Sequence, residues 1–237
     1  MFPSLPIPMT KIEGRVILAS GSPQRKDIMI NQLGYTNVEI VKSGFPENLS
    51  KDAYAPFEYA IQTARHKALD VYRAEANADI APELLIAADT VIELNGIIME
   101  KPRGIDHHIE MLKKLRDNPG PHRVYTGLAA IVPYEKPVLP GYSLETSLGV
   151  THVKFRKDIT DKEIIDYVTS GEASDAAGGY KIQGAGGKFV ESINGDRFNV
   201  IGLPIDDTKV LIKKTWDLAQ VGEDELQGDT DEEESYY

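Results

Sequence analysis

The acidic residue best placed to do chemistry is Asp89, which follows the apolar residues 84–88 and directly precedes Thr90. A run of this length is too short to cross a membrane and is typical of a buried strand. A carboxylate in such a strand is costly to bury unless a cation, a metal ion or hydrogen bonds satisfy it. Two interpretations stay open, an aspartate capped by a turn at a strand end and a functional acid, and the local sequence favours the first.

A hairpin is predicted directly after Asp89. Asn95 and Gly96 form the dipeptide of a two-residue turn, so residues 97–99 are expected to return antiparallel to the first strand. Lys101 lies about as far beyond this turn as Asp89 lies before it. We therefore expect the ammonium of Lys101 to come back to the level of the Asp89 carboxylate.

A second candidate site follows the first predicted strand, residues 15–19. Ser22 is a good helix N-cap and Pro23 a good first helical residue, so the chain turns here from a strand into a helix. Such a corner presents free backbone N–H groups and the positive end of the helix dipole, and Ser20 and Arg25 lie at the same place. A phosphate site and a plain capped turn are equally compatible with these residues.

Lys67 lies in the clearest helical pattern of the chain. Residues 57, 61, 64, 68 and 71 are apolar and recur at helical spacing, and Lys67 is at the flank of this stripe. A lysine there either extends into solvent or buries its stem and directs its ammonium into a neighbouring cleft. The first arrangement is the commoner one.

Residues 175–187 are rich in glycine, which allows a backbone to approach a ligand closely. Gln183, within this segment, offers both a hydrogen-bond donor and an acceptor for reading the edge of a base. The mixture of residues between the glycines is unlike a flexible Gly/Ser linker.

The remaining elements follow from periodicity, capping and turn signals. We predict strands at 38–41, 123–132 and 144–155, with a surface loop at 133–143. Helices are expected after Asp106 as an N-cap, from 164 to 170 after the capping box of Thr160 and Glu163, and after Pro204. A hairpin is predicted from 189–193 and 199–203, and His107 and His108 are expected at the surface.

Composition restricts the class of protein. The 237 residues are 41% hydrophobic and 27% charged, as in an ordinary globular protein, and the absence of cysteine excludes disulfides, zinc–thiolate sites and thiol nucleophiles. No apolar run reaches membrane-span length, and residues 1–9 do not resemble a signal or transit peptide, so a cytoplasmic location without a membrane partner is expected.

The net charge of −11 is concentrated at one end, because residues 223–234 carry eight acidic side chains, and the rest of the chain carries −3. No basic stripe appears, which argues against nucleic acid as a partner. We expect a proline-containing leader at 1–13, one folded domain at 14–219 and an acidic disordered tail at 220–237.

Several blocks, in the same order along the chain, resemble the signature blocks of the Maf family. They are residues 18–25, Ala88-Asp89-Thr90 with Lys101-Pro102, residues 171–184 and residues 195–204, and together they span about 14–216. This resemblance implies a nucleoside triphosphate pyrophosphatase, related in fold to inosine triphosphate pyrophosphatase, that acts as a homodimer on a nucleoside triphosphate.

The resemblance also implies roles for particular residues. Asp89 matches the catalytic aspartate, which lies near the metal, and Glu47 matches an acidic residue that helps to bind the divalent cation, Mg²⁺ or Mn²⁺. Positions around the triphosphate match Ser20, Ser22, Arg25, Lys67 and Lys101. The positions linked to a preference for dTTP and UTP match Thr90, Gln183 and Gln24. At position 24 the family usually has arginine.

The expected architecture is α/β, with a central mixed twisted sheet, flanking helices and two lobes around a long cleft. The expected substrates are dTTP, UTP or modified pyrimidine nucleotides. Three alternatives are retained: a catalytically silent nucleotide-binding or regulatory protein of the same fold, a preference for a 7-methyl-GTP type of substrate, and a phosphohydrolase that removes a terminal phosphate or cleaves a monophosphate ester. The products formed from UTP distinguish the last alternative from a pyrophosphatase: UDP and phosphate indicate a terminal phosphohydrolase, and UMP and pyrophosphate indicate a pyrophosphatase.

Overall fold

The computed structural model describes residues 12–134 and 141–231, and for 222–231 it describes the backbone alone. The elements of this part, in chain order, are β1 (Val16–Leu18), α1 (Pro23–Asn31), β2 (Val38–Ile40), α2 (Pro56–Glu75), β3 (Leu84–Leu94), β4 (Ile97–Met99), α3 (Ile105–Asp117), β5 (His122–Pro133), β6 (Tyr142–Phe155), α4 (Asp161–Thr169), β7 (Val190–Asn194), α5 (Arg197–Ile201) and α6 (Ile205–Asp231). Two short 3₁₀ helices, Ala177–Gly179 and Ala185–Phe189, precede β7. None of the helices in this part is long and apolar enough to cross a membrane.

The strands form one mixed seven-stranded sheet in the order β2-β1-β3-β5-β6-β7, with β4 paired to β3. The pairs β1–β2 and β1–β3 are parallel, and the other pairs are antiparallel. The predicted mixed α/β architecture is confirmed, as is the hairpin at Asn95 and Gly96.

The central strand β3 has different neighbours along its two halves. Its residues 84–86 pair with β1 and its residues 92–94 pair with β4, while β5 runs along its whole other side. Residues 87–91 therefore have no strand partner on the first side within the described part of the chain. Asp89 and Thr90 lie at this gap in the sheet, where Asp89 stays buried and Thr90 is partly exposed.

Helices cover the sheet on both sides of this gap. One core packs α1 and α6 against the first half of β3 and the second half of its antiparallel neighbour β5, and α2 covers the opposite face. A separate core packs α3 and α4 against the second half of β3 and the first half of β5. The two lobes predicted from the sequence thus share β3 and β5, and the gap lies where the lobes meet.

The hairpin predicted from 189–193 and 199–203 is wrong in its second half. β7 pairs with β6, and residues 197–201 form the helix α5. The cause is Asp196, whose carboxylate accepts hydrogen bonds from the backbone N–H groups of Phe198 and Ile205 and so caps the start of two successive helices.

Three smaller expectations also differ from the structure. Gly104, not Asp106, is the N-cap of α3, and no side chain caps this helix. Phe57, the second residue of α2, is 39% exposed, because the buried face there runs through Tyr59 and Ala60. The final helix continues to Asp231, beyond the expected end of the folded domain at residue 219.

Residues 1–11 of the expected leader, residues 135–140 of the expected loop and residues 232–237 of the expected tail lie outside the described residues.

Candidate active site

Asp89 forms a buried ion pair with Lys67. The ammonium of Lys67 lies 2.8 Å from Oδ1 of Asp89, and each residue is 8% exposed. Successive residues of a strand point to opposite faces, so Asp89 shares the face of Ala87, which packs against α2. Gly127, the register partner of Asp89 on β5, allows α2 to come close, because a Cβ there would lie 2.3 Å from the backbone of Ala60.

Glu47 provides a second carboxylate for the same ammonium. Its Oε1 lies 2.7 Å from Nζ of Lys67. The Glu47 backbone has a φ of 50°, which is uncommon for a residue other than glycine, and the Tyr59 hydroxyl donates to its carbonyl oxygen at 2.9 Å. Burial alone would raise the pKa of Glu47, but the hydrogen bond from Lys67 and the nearby cations outweigh it and hold this pKa below its ordinary value.

Arg25 joins three separate segments at the edge of the gap. Its guanidinium donates to the Gly202 carbonyl at 2.9 Å, to Oγ of Ser20 at 3.1 Å and to Oγ1 of Thr90 at 3.0 Å. Burial lowers the pKa of Arg25, and the charges of the acids Asp89 and Glu47 act in the opposite direction. An arginine keeps its proton even so, and it supplies a fixed positive charge here.

The start of α1 has the geometry expected of a capped helix. Oγ of Ser22 accepts from the backbone N–H of Arg25 at 3.4 Å and donates to Oε1 of Gln24 at 3.1 Å. Residues 21–25, at the positive end of the α1 helix dipole, line the cavity described below.

A cavity of about 300 Å³ collects nearly all the residues singled out from the sequence. It is lined by Ser22, Gln24, Arg25, Glu47, Lys67, Asp89, Thr90, Lys101 and Gln183. Ser20 lies behind this wall and contacts it through Arg25. A second cavity, of about 280 Å³, adjoins the first and shares Glu47, Asp89, Thr90 and Lys101 with it. The geometry therefore brings the carboxylates, the cations and the candidate base-reading side chains around one continuous space.

The segment that carries Gln183 is held by side chains from other elements. His108 contacts the Gly179 carbonyl at 2.6 Å, and the Tyr167 hydroxyl accepts from the Lys181 N–H at 3.0 Å. Arg197 donates to the Ile182 carbonyl, and Glu172 accepts from the N–H groups of residues 185 and 186. A glycine-rich segment of low intrinsic order is thereby fixed on both sides of Gln183.

The glycines of this segment serve a purpose other than the one expected. A Cβ at Gly178 would lie 2.5 Å from Ile92, and one at Gly179 would lie 2.6 Å from the His108 ring. Both glycines also have positive φ. They allow the backbone to approach the protein itself, and the described cavity wall contains side chains such as Gln183 and none of the glycines of this segment.

His108 corrects the prediction that both histidines of the pair lie at the surface. It is 3% exposed, because the segment at 178–179 folds over it, whereas His107 is partly exposed.

Sequence reasoning also gave no role to Asp175 and Lys181, an ion pair at 2.8 Å that lines the cavity. The hydrogen bond from Lys181 lowers the pKa of Asp175. The only signal for this pair was the presence of two opposite charges six residues apart within the glycine-rich segment.

The donor set for a cation consists of the two carboxylates Glu47 and Asp89. They bind the same ammonium from two sides, so both are oriented towards one positive charge. No group of three or more His, Cys, Asp or Glu side chains suited to a metal lies together in the described part of the chain. Two carboxylates suit Mg²⁺, which is commonly held by one or two carboxylates together with water and substrate phosphates.

Comparisons with known proteins give a consistent result. A family model described as Maf-like protein matches residues 15–215. The chain is 49% identical over 201 residues to a dTTP/UTP pyrophosphatase of Schizosaccharomyces pombe, and the match covers 84% of this chain and 83% of that protein. It is 38% identical over 192 residues to a dTTP/UTP pyrophosphatase of Clostridium perfringens, with 81% and 92% covered.

Two further similarities cover less of the other protein or are weaker. A probable bifunctional dTTP/UTP pyrophosphatase/methyltransferase protein of Homo sapiens is 39% identical over 206 residues, which are 84% of this chain and 32% of that protein. The structure of the Staphylococcus aureus Ham1 protein superposes with a TM-score of 0.38 at 15% identity, and covers 60% of this chain and 72% of that one. The last values are too low to bear on fold or function.

Proposed function

The chain belongs to the Maf-like protein family, and we propose that it hydrolyses dTTP and UTP to the nucleoside monophosphate and pyrophosphate. The names of the relatives from Schizosaccharomyces pombe and Clostridium perfringens support this reaction, since both matches cover more than four-fifths of each chain. The observation that carries the proposal within this molecule is the buried pair of Asp89 and Lys67 at the wall of a cavity that also contains Arg25 and Lys101.

We assign the triphosphate to the end of the cavity where positive charge is concentrated. Lys67 and Lys101 lie beside the two carboxylates, and Arg25 follows the N-terminus of α1. Pre-positioned cations and backbone N–H groups stabilise the charge that spreads over phosphate oxygens during phosphoryl transfer. Ser20 supports this site indirectly, through its hydrogen bond to Arg25.

A divalent cation, Mg²⁺ or Mn²⁺, fits Glu47 and Asp89 as protein ligands. When bound, such an ion neutralises negative charge on the phosphates. Asp89 has two candidate roles, as the base that accepts a proton from the attacking water and as a ligand that only holds the cation. In either role its carboxylate is held in place by the ammonium of Lys67 at 2.8 Å.

The base is assigned to Thr90, Gln183 and Gln24, which line the same cavity. All three are uncharged hydrogen-bonding side chains, which suits the neutral edge of a pyrimidine more than a positively charged methylated guanine. Gln24 replaces the usual arginine of the family and still offers an N–H donor. We therefore favour dTTP and UTP over a 7-methyl-GTP type of substrate.

Product analysis with UTP tests the proposed function directly. The purified protein is incubated with UTP and Mg²⁺, and the nucleotides are separated by anion exchange while pyrophosphate and phosphate are assayed separately. UMP and pyrophosphate in equal amounts support the proposal. UDP and phosphate would instead indicate a terminal phosphohydrolase, and nucleotide binding without any product would indicate a catalytically silent protein.

Two further expectations stay predictions. The family resemblance implies a homodimer, which sedimentation of the purified chain tests. The expected cytoplasmic location rests on the sequence and is tested by localising the tagged full-length chain in cells.

A further inference from the structure

Thr126 is a buried polar residue that the proposed reaction does not use, yet it contacts the cavity wall from behind. It is the register partner of Thr90 on the neighbouring strand β5 and is 0% exposed. Its Oγ1 lies 3.0 Å from Oγ1 of Thr90 and 2.9 Å from the carbonyl oxygen of Asn199. Arg25, on the other side, lies 3.0 Å from the same Thr90 oxygen. A continuous chain of hydrogen bonds therefore runs from Arg25 through both threonines to the backbone of α5.

The chemistry at the two ends fixes the direction of every hydrogen bond in this chain. A guanidinium can only donate, so Thr90 accepts from Arg25, and a carbonyl oxygen can only accept, so Thr126 donates to Asn199. The single hydroxyl hydrogen of Thr126 is thereby used, and the Thr90 hydroxyl must donate to Thr126. The reverse arrangement would leave two acceptor oxygens facing each other at 2.9 Å in a fully buried place, which is costly.

The Asn199 end of the chain is itself immobile. Nδ2 of Asn199 donates to the Val124 carbonyl at 3.0 Å and to Oγ1 of Thr151 at 3.1 Å, and the residue is 0% exposed. The carbonyl that receives the Thr126 hydrogen is therefore fixed to the sheet at β5 and β6. The chain has fixed partners at both ends.

The direction of the Thr90 hydroxyl hydrogen decides whether Thr90 offers a donor or an acceptor to the cavity. A threonine hydroxyl has one hydrogen and two lone pairs. The hydrogen goes to Thr126 and one lone pair goes to Arg25, so only a lone pair is left to face the cavity. Such an oxygen attracts an N–H donor and repels a phosphate oxygen or an unprotonated ring nitrogen.

We propose that Thr126 is a positioning residue that fixes the direction of the Thr90 hydroxyl and so makes Thr90 an acceptor for the ring N–H of uracil or thymine. This inference rests on the proposed function and specifies how the base is selected. Uracil and thymine carry a hydrogen on N3, whereas N3 of cytosine is an acceptor. The same oxygen therefore attracts UTP and rejects CTP.

The test compares the kcat/KM values for UTP and CTP in the wild-type protein and in Thr126→Val, which keeps the shape and removes the hydroxyl. Without its acceptor, the Thr90 hydrogen is free to rotate towards the cavity and donate to N3 of cytosine. The UTP/CTP ratio is expected to fall by about tenfold, the size of effect typical of one hydrogen bond. Thr126→Ser keeps the hydroxyl and is expected to preserve the ratio.

Thr215→Val is the matched control, because Thr215 is equally buried and its hydroxyl bonds only within α6, to the Leu211 carbonyl. Its ratio of the kcat/KM values for UTP and CTP should equal that of the wild type.

An unchanged ratio in a folded Thr126→Val protein, or an equal loss of activity with both nucleotides, overturns the inference. If Thr126→Val does not fold, Thr126→Ala removes the same hydroxyl with less bulk and is judged by the same ratio. Absence of pyrophosphate release from UTP by the wild type would instead reject the proposed function itself.

Discussion

The ammonium of Lys67 lies 2.8 Å from the carboxylate of Asp89, and the surrounding helix and sheet leave each residue only 8% exposed. The same ammonium lies 2.7 Å from Glu47. One lysine thus bridges two acids that would otherwise repel each other beside a buried strand, and the three side chains together keep one net negative charge. Charge balance at this site depends on α2 lying directly over the gap in the sheet.

Replacing Lys67 by methionine is expected to destabilise the metal-free protein by about 3 kcal/mol, because a buried carboxylate loses its partner. Mg²⁺ should raise the melting temperature of this variant more than that of the wild type, since the cation replaces the missing positive charge. Thermal unfolding with and without Mg²⁺ measures both effects. Lys162→Met, which breaks an exposed pair with Asp166, is the control and should change little. Equal melting temperatures for Lys67→Met and wild type without Mg²⁺ would contradict this account.

Replacing Asp89 by asparagine is expected to lower pyrophosphate release from UTP by roughly 10³-fold or more while the fold stays intact. The amide has nearly the same shape but can neither accept the proton of water nor balance a cation. Pyrophosphate release and circular dichroism are measured on the same sample. Asp166→Asn, on the exposed surface of α4, should keep the wild-type rate. A wild-type rate in Asp89→Asn would remove this residue from the reaction.

Replacing Glu47 by glutamine is expected to raise the Mg²⁺ concentration needed for half-maximal rate by about tenfold or more, as loss of a charged ligand weakens a site. In the wild type, Lys67 and the nearby cations hold the pKa of Glu47 below its ordinary value, so near neutral pH this carboxylate is ionised and its contribution to the Mg²⁺ requirement should not change with pH. Mg²⁺ titrations of the rate at several pH values check both statements. Glu110→Gln, on the outer side of α3, serves as the control. An unchanged Mg²⁺ requirement would place the cation elsewhere.

Replacing Tyr167 by phenylalanine is expected to raise the KM for UTP by about three- to tenfold, because the Lys181 N–H loses its acceptor and the segment carrying Gln183 loosens. The Tyr167 hydroxyl also donates to Glu172 at 3.1 Å, and Glu172 holds the other end of the segment. Steady-state kinetics should show a larger change in KM than in kcat. Tyr72→Phe, whose hydroxyl contacts Gly141 away from the cavity, should leave both values unchanged. A fall in kcat alone would argue against a role in holding the base.

His122 makes stability depend on pH. Burial lowers its pKa from 6.5 to about 3, so the folded protein keeps it neutral where the unfolded chain binds a proton. The free energy of unfolding should therefore fall as the pH drops below 6.5, and this residue contributes a slope of up to about 1.4 kcal/mol per pH unit until about pH 3. Urea unfolding between pH 5 and 6.5, above most carboxylate titration, isolates this contribution.

The matched comparison uses His122→Gln, which removes the titration and keeps a polar group near the Tyr180 hydroxyl, 2.7 Å from His122 in the wild type. This variant should lose most of the pH slope. His152→Gln, at a partly exposed histidine on β6, should retain it. Identical slopes in all three proteins would show that His122 titrates normally.

Local signals in the sequence were sufficient wherever one short stretch decides its own structure. Asn95-Gly96 predicted the hairpin, Ser22 with Pro23 predicted the start of α1, and Thr160 with Glu163 predicted the start of α4, and each is found. These features depend on turn geometry and on satisfying the first N–H groups of a helix, which involve neighbouring residues only. Asp196 shows the limit, because its capping role outweighed an apparent strand pattern at 199–203.

The amino-acid sequence, together with its resemblance to the Maf family, predicted Asp89, Glu47, Lys67, Arg25 and Lys101 as site residues, and their roles stay predictions. Only the tertiary structure decided that they meet. Lys67 is indistinguishable from a solvated helix residue until α2 packs on Gly127, and Thr126 has no visible role until β5 lies beside β3. The physical reason is that burial and pairing of charges arise from contacts between elements far apart in the chain, whereas periodicity and capping report only what adjacent residues do to one another.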